Sequence, residues 1–237
     1  MKKYITLSIL FIAFLTITGC GNTNTVKTDA LKFKEEYESY NGKKNSSDLE
    51  YRTVSINENN PFVYIDTNDL IKKIENKETF FVYFGDSMCP WCRSVIEKAI
   101  SVANDYDIET IYYVKIWDDD HNEILRDTYK IDENEIVVKV KDGTSDYYKL
   151  LNYFDNVLSS YTLTNSTGNK ITLQEKRIYA PNFIYVKNGT PEILVEGISP
   201  LQKDSRESLT LEMLKDEEEA FEELFLKASV CEDDKSC

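Results

Sequence analysis

The sequence predicts a three-layer α/β sandwich that carries an inserted helix-plus-hairpin segment. Three observations lead there. The runs "TFFVYFG" at 79–85 and "TIYYVKI" at 110–116 are continuously apolar and of strand length, as strands buried on both faces are. They alternate with stretches of helical period, the pattern of a sheet covered by helices. Asn188-Gly189 then joins two further apolar runs, a strong short-range hairpin signal.

Met1-Lys2-Lys3 and the uncharged run "YITLSILFIAFLTITG" predict a cleaved targeting segment over 1–19, because the run is short for a membrane span. "Ile17-Thr18-Gly19-Cys20" resembles the bacterial lipobox, which implies a lipidated Cys20 and a lipoprotein held at the cell membrane. Removing 1–19 takes away two lysines and no acid, which shifts the net charge from −14 to −16. Residues 20–28 are polar and aperiodic, a tether.

A further N-terminal extension, 29–59, precedes the main domain. "DALKFKEEYESYNG" puts Leu31, Phe33, Tyr37 and Tyr40 on one side of a helix ending near Asn41-Gly42. "KKNSSDLEY" reads as loop and "RTVSI" as a short strand.

The domain proper is predicted over 60–230. "PFVYI" is a strand, and Asp66-Thr67 caps the helix "NDLIKKIEN". After the strand at 79–85, Val95, Ile96, Ala99, Ile100, Val102 and Ala103 recur at helical spacing. "DDDHNEILRDTYKI" at 118–131 reads as a helix. An insertion is expected over about 132–176. It holds "EIVVKV" and then an amphipathic helix begun by Thr144-Ser145-Asp146, with Tyr147, Leu150, Leu151, Phe154, Val157 and Leu158 on its face. The hairpin "YTLTNSTGNKITL" ends it. "APNFIYVKNGTPEILVEG" supplies two strands, with Pro191 marking the second as an edge. The last helix carries Leu211, Leu214, Phe221, Leu224, Phe225 and Ala228, and an acidic tail, 231–237, follows with Cys231 and Cys237.

Hydrophobic residues at 41% fill a core, and the 30% charged residues suit a soluble surface. A net charge of −14 argues against nucleic-acid binding through a basic face. With Cys20 lipidated and the protein exported, four of its five cysteines remain, and disulfides are permissible.

The chemistry concentrates in "GDSMCPWCRSV" at 85–95. A structural zinc site wants four Cys or His ligands, and here a single CxxC accompanies a single histidine, His121, read as a surface residue near a helix start. A disulfide closing so small a loop adds little stability, which disfavours a purely structural bond. A redox pair fits best. The first cysteine, Cys89, falls at a helix N-terminus, where unpaired N–H groups and the macrodipole favour a thiolate. Cys92 lies one turn in, placed to resolve a mixed disulfide, and Pro90 suits the first helical turn. Arg93 favours the thiolate and Asp86 opposes it.

"TFFVYFGDSMCPWCRSV" followed far downstream by "APNFIYVKNGTPEILVEG" resembles the two halves of a thioredoxin-like domain, over about 60–131 and 177–228. The resemblance implies a thioredoxin-like sandwich in which Pro181 is a cis-proline facing the cysteines and Ala180 pairs with substrate backbone. Trp91 would form a lip beside Cys89, while Trp117 packs inside. The form of the motif with the lipobox is similar to extracytoplasmic thioredoxin-like lipoproteins of Gram-positive bacteria, bacteriocin-transport accessory proteins among their relatives. It departs from the family in its Pro-Trp dipeptide and in Tyr83, which stands where thioredoxins carry a buried acid.

The expectation is therefore a thiol–disulfide oxidoreductase with Cys89 as nucleophile, Cys92 as resolving thiol, and Trp91, Pro90, Ala180 and Pro181 shaping the substrate groove. No metal or dissociable cofactor is expected, since the cysteine pair carries the electrons. Its partners would be exported thiol or disulfide proteins and an electron partner at or outside the membrane. Cys231 and Cys237 would close a small structural disulfide or exchange with Cys89. The rival expectation is a non-catalytic accessory lipoprotein that serves export, immunity or assembly of a partner.

Overall fold

A computed structural model describes residues 27–229, so Cys20, Cys231, Cys237 and the targeting segment lie outside the described residues. The elements run α1 (Asp29–Glu38), β1 (Phe62–Tyr64), α2 (Thr67–Glu75), β2 (Phe80–Gly85), α3 (Pro90–Asp105) and β3 (Ile111–Lys115). Then come β4 (Thr128–Ile131), β5 (Val137–Lys141), α4 (Ser145–Tyr153), β6 (Ser160–Thr164), β7 (Lys170–Lys176), β8 (Asn182–Lys187), β9 (Thr190–Val195) and α5 (Leu211–Ser229).

Five strands form the central sheet in the order β1-β3-β2-β8-β9. β1, β3 and β2 are parallel, while β8 runs antiparallel to β2 and β9 antiparallel to β8. β2 is buried at every residue, as its unbroken apolar run requires. One face packs α1, α3 and α5 through Phe33, Val95, Ile96, Ala99, Phe221 and Phe225. The other packs α2 and α4 through Leu70, Ile74, Tyr147, Leu150 and Phe154. The architecture is a thioredoxin-like α/β sandwich, as expected, with the ends of β2 and β3 and the start of β8 at one pole.

Local chemistry sets most boundaries. Asp66 and Thr144 cap α2 and α4 by accepting from the N–H three residues on. Asn188 and Gly189 take positive φ in the β8–β9 turn. Pro191 lies on β9, the sheet's edge.

Five expectations are corrected. Residues 118–131 are not a helix. Asp118 accepts from the N–H groups of Asp120 and Asn122, and Glu123 from those of Leu125 and Arg126, so acidic side chains hold the backbone in turns before β4. His121 accordingly sits in an exposed turn at φ 64° rather than at a helix start. "RTVSI" is not a strand and pairs with none. Asn41 bonds both the N–H and the carbonyl of Val54, and Glu38 accepts from the Ile56 N–H, which replaces a ladder. α4 stops at Tyr153, with Phe154 and Leu158 buried beyond it, and it covers the sheet directly, so the additions between β3 and β8 are the two hairpins β4–β5 and β6–β7. In α5, Leu211 is 87% exposed and Met213 is buried in its stead, because the core-facing stripe begins later.

Candidate functional site

The site forms where β2 ends and α3 begins. Gly85 closes β2, and a Cβ there would meet the Tyr83 ring at 2.1 Å, so glycine is what lets that ring fold back toward the cysteine loop. Cys89 is the N-cap of α3: its sulfur accepts from the Cys92 N–H at 3.4 Å, and Pro90 opens the first turn. Both cysteines are free thiols and buried, Cys89 with a 5% opening to solvent and Cys92 with none.

The pair is electrostatically split. A hydrogen bond from the Cys92 thiol lowers the Cys89 pKa against the cost of burial, helped by the N–H groups of Cys92 and Trp91 and by the charge of Arg126. Burial, and then Cys89 itself, raise Cys92 well above the ordinary thiol value. The two thiols thus differ in acidity, Cys89 being the more acidic and Cys92 the less.

Behind Cys92 lies a closed polar cluster. The Tyr83 hydroxyl pairs with the Tyr37 hydroxyl at 2.7 Å, and both side chains, like that of Cys92, are fully buried. Burial raises both tyrosines well above their ordinary value, so they are fixed dipoles, not bases. Asp86 is different. Its Oδ1 accepts from the Met88 N–H at 2.9 Å, and its buried Oδ2 has no hydrogen-bond partner. Burial lifts its carboxyl to about 7.

In front of Cys89 lies the start of β8. Ala180–Pro181 is a cis peptide bond, and the Cys89 thiol donates to the Ala180 carbonyl at 3.4 Å. Trp91, Tyr179, Ala180, Pro181, Glu196 and Ile198 line one cleft of about 320 Å³, one wall of which is Ala180, whose carbonyl meets the Cys89 thiol. The structure therefore brings Cys89, Pro90, Trp91, Cys92, Ala180 and Pro181 together.

Compared with known proteins, the chain matches no family model and no curated protein.

Arg93 corrects the sequence reading. Its guanidinium is fully buried and donates to the carbonyls of Arg52, Tyr37 and Ser87 and to Asn41, so it holds the N-terminal extension and not the thiolate. The cation that does act on Cys89 is Arg126, which is paired with Glu123 and donates to the Ile178 carbonyl. Nothing in the local pattern marked it, because it lies in a segment that reads as a helix. Tyr37 was legible only as an apolar helix position. Its hydroxyl contact crosses 46 residues of chain.

Proposed function

We propose that the protein is a lipid-anchored, extracytoplasmic thiol–disulfide oxidoreductase of the thioredoxin-like kind, acting on exported proteins. One observation carries the reading: Cys89, its pKa lowered, caps α3 with its sulfur between the Cys92 N–H and the Ala180 carbonyl. This arrangement suits a nucleophile that is approached along the Ala180–Pro181 segment.

In the reducing direction the Cys89 thiolate attacks one sulfur of a substrate disulfide. That S–S bond breaks, a Cys89–substrate bond forms, and the other substrate sulfur leaves as a thiolate that water protonates. Cys92 then gives its proton to Asp86 and attacks the Cys89 sulfur. The Cys89–substrate bond breaks, the Cys89–Cys92 bond forms, and the second substrate thiolate takes up the proton. Two electrons pass from the pair to the substrate, and the reverse sequence oxidises a dithiol. Asp86 supports this reading, since a buried carboxyl titrating near 7 in the loop that leads to a thiol of raised pKa suits proton exchange at neutral pH.

The test is the reduction potential of the pair in the full-length chain in detergent. Cys20, Cys231 and Cys237 are replaced by Ser, and the protein is equilibrated in dithiothreitol or glutathione buffers and read by alkylation mass shift. A value near about −270 mV marks a reductase, and one near about −120 mV an oxidant of exported proteins. A pair that does not cycle within that span removes the redox reading and leaves the accessory-protein alternative.

A further inference from the structure

Resting on that redox reading, we infer that the cleft beside Cys89 selects disulfide peptides that carry a lysine or arginine close to the reacting cysteine. The cleft is apolar on most of its lining, through Trp91, Ala180, Pro181 and Ile198. Glu196 is its one charged lining residue, and no cation lines it. Desolvation alone raises the Glu196 carboxyl from its ordinary value, so the protein supplies no countercharge.

The backbone that carries Glu196 is held in place, while its side chain is exposed. Glu196 directly follows β9, and the next residue, Gly197, takes φ 70° with its α-carbon pressed on Phe221, where a Cβ would meet the ring at 2.3 Å. Across the cleft Tyr179 is tied to the β6–β7 hairpin, accepting from the Thr162 N–H at 2.8 Å and donating to the Ser160 carbonyl. Arg126, the guanidinium acting on Cys89, is already committed to Glu123. The hairpin thus stiffens one wall, and the turn after β9 sets the backbone from which an acid projects on the other.

Charge then decides the occupant. An uncharged peptide leaves the solvent-exposed Glu196 without a partner, an acidic one adds like-charge repulsion, and a basic one supplies an opposite charge. The net charge of −14 steers the same class toward the surface.

The experiment uses the reduced full-length chain in detergent and three fluorogenic disulfide peptides that differ only beside the cysteine, bearing Lys, Gln or Glu. The expected kcat/KM ratio of Lys to Glu peptide is about tenfold at low salt and collapses toward one near 1 M salt, where screening reaches about 3 Å. In E196Q the ratio is expected to fall to within about twofold of one, compared at the same low salt. If the Gln peptide is exchanged but the wild-type ratio is near one, or survives E196Q, the inference is overturned and the redox reading stands. If no peptide is exchanged, the redox reading fails and takes the inference with it. Should E196Q fail to fold, the wild-type ratio and its salt dependence still decide.

Discussion

Asp86 shows at the scale of one residue how position outweighs identity. It stands three residues before Cys89, where the sequence alone marks it only as a charge opposing a thiolate. Buried and half-satisfied against the Met88 N–H, it instead becomes a carboxyl that changes state near neutral pH. Asp86→Asn is expected to slow the release of a Cys89 mixed disulfide roughly a hundredfold, the lower range of general acid–base contributions, and to flatten its pH dependence around 7. Stopped-flow release from a preformed mixed disulfide measures it. A rate within twofold of wild type assigns the proton to another group. The neighbouring tyrosines do not take this role, because burial keeps both protonated well beyond neutral pH.

At the scale of elements, the N-terminal extension is part of the site and not an appendage. α1 sets Phe33 against Phe62 and Tyr113 and brings the Tyr37 hydroxyl to Tyr83, while Arg93 of α3 clamps the carbonyls of Tyr37, Arg52 and Ser87. Arg93→Met keeps much of the volume but leaves those buried carbonyls without their donor, so it is expected to cost roughly 3 kcal/mol or more. Urea unfolding with an unchanged slope would register that loss. A loss below about 1 kcal/mol would mean that apolar packing alone holds the extension, within the spread of ordinary substitutions. Helices with a clean apolar stripe and a capping residue were legible in advance: α2, α3 and α4 begin at Asp66, Cys89 and Thr144 as their sequences suggest. The 118–131 segment was not, since its apolar spacing mimics a helix while Asp118 and Glu123 bind local N–H groups in turns.

For the whole molecule, two buried carboxyls set a pH trend. Asp86 and Glu217 both titrate near 7 because burial penalises their charge, and neither Glu217 oxygen has a hydrogen-bond partner. Their folded pKa values lie above the unfolded ones near 4. The stability linked to their protons is therefore full below about pH 4 and is lost as the pH rises through about 7. Unfolding free energy is expected to fall by roughly 1 to 3 kcal/mol per group between pH 5 and 8. Urea titrations across that range would check this, and the double variant Asp86→Asn with Glu217→Gln should flatten the curve. An equally steep curve in the double variant would place the titrating groups elsewhere.

The sequence by itself determined the alternation of strands and helices, the burial of β2, the hairpin at Asn188-Gly189 and the pairing of Cys89 with Cys92 at a helix start. These rest on local rules of period, capping and turn chemistry, which act within a few residues. Only the tertiary structure decided which groups surround the sulfurs. Tyr37 meets Tyr83 across 46 residues, Ala180 meets Cys89 across 91, and Arg93 meets Tyr37 across 56. The environment that sets a thiol's reactivity is the sum of burial and charge from such distant segments, and no spacing along the chain encodes that sum.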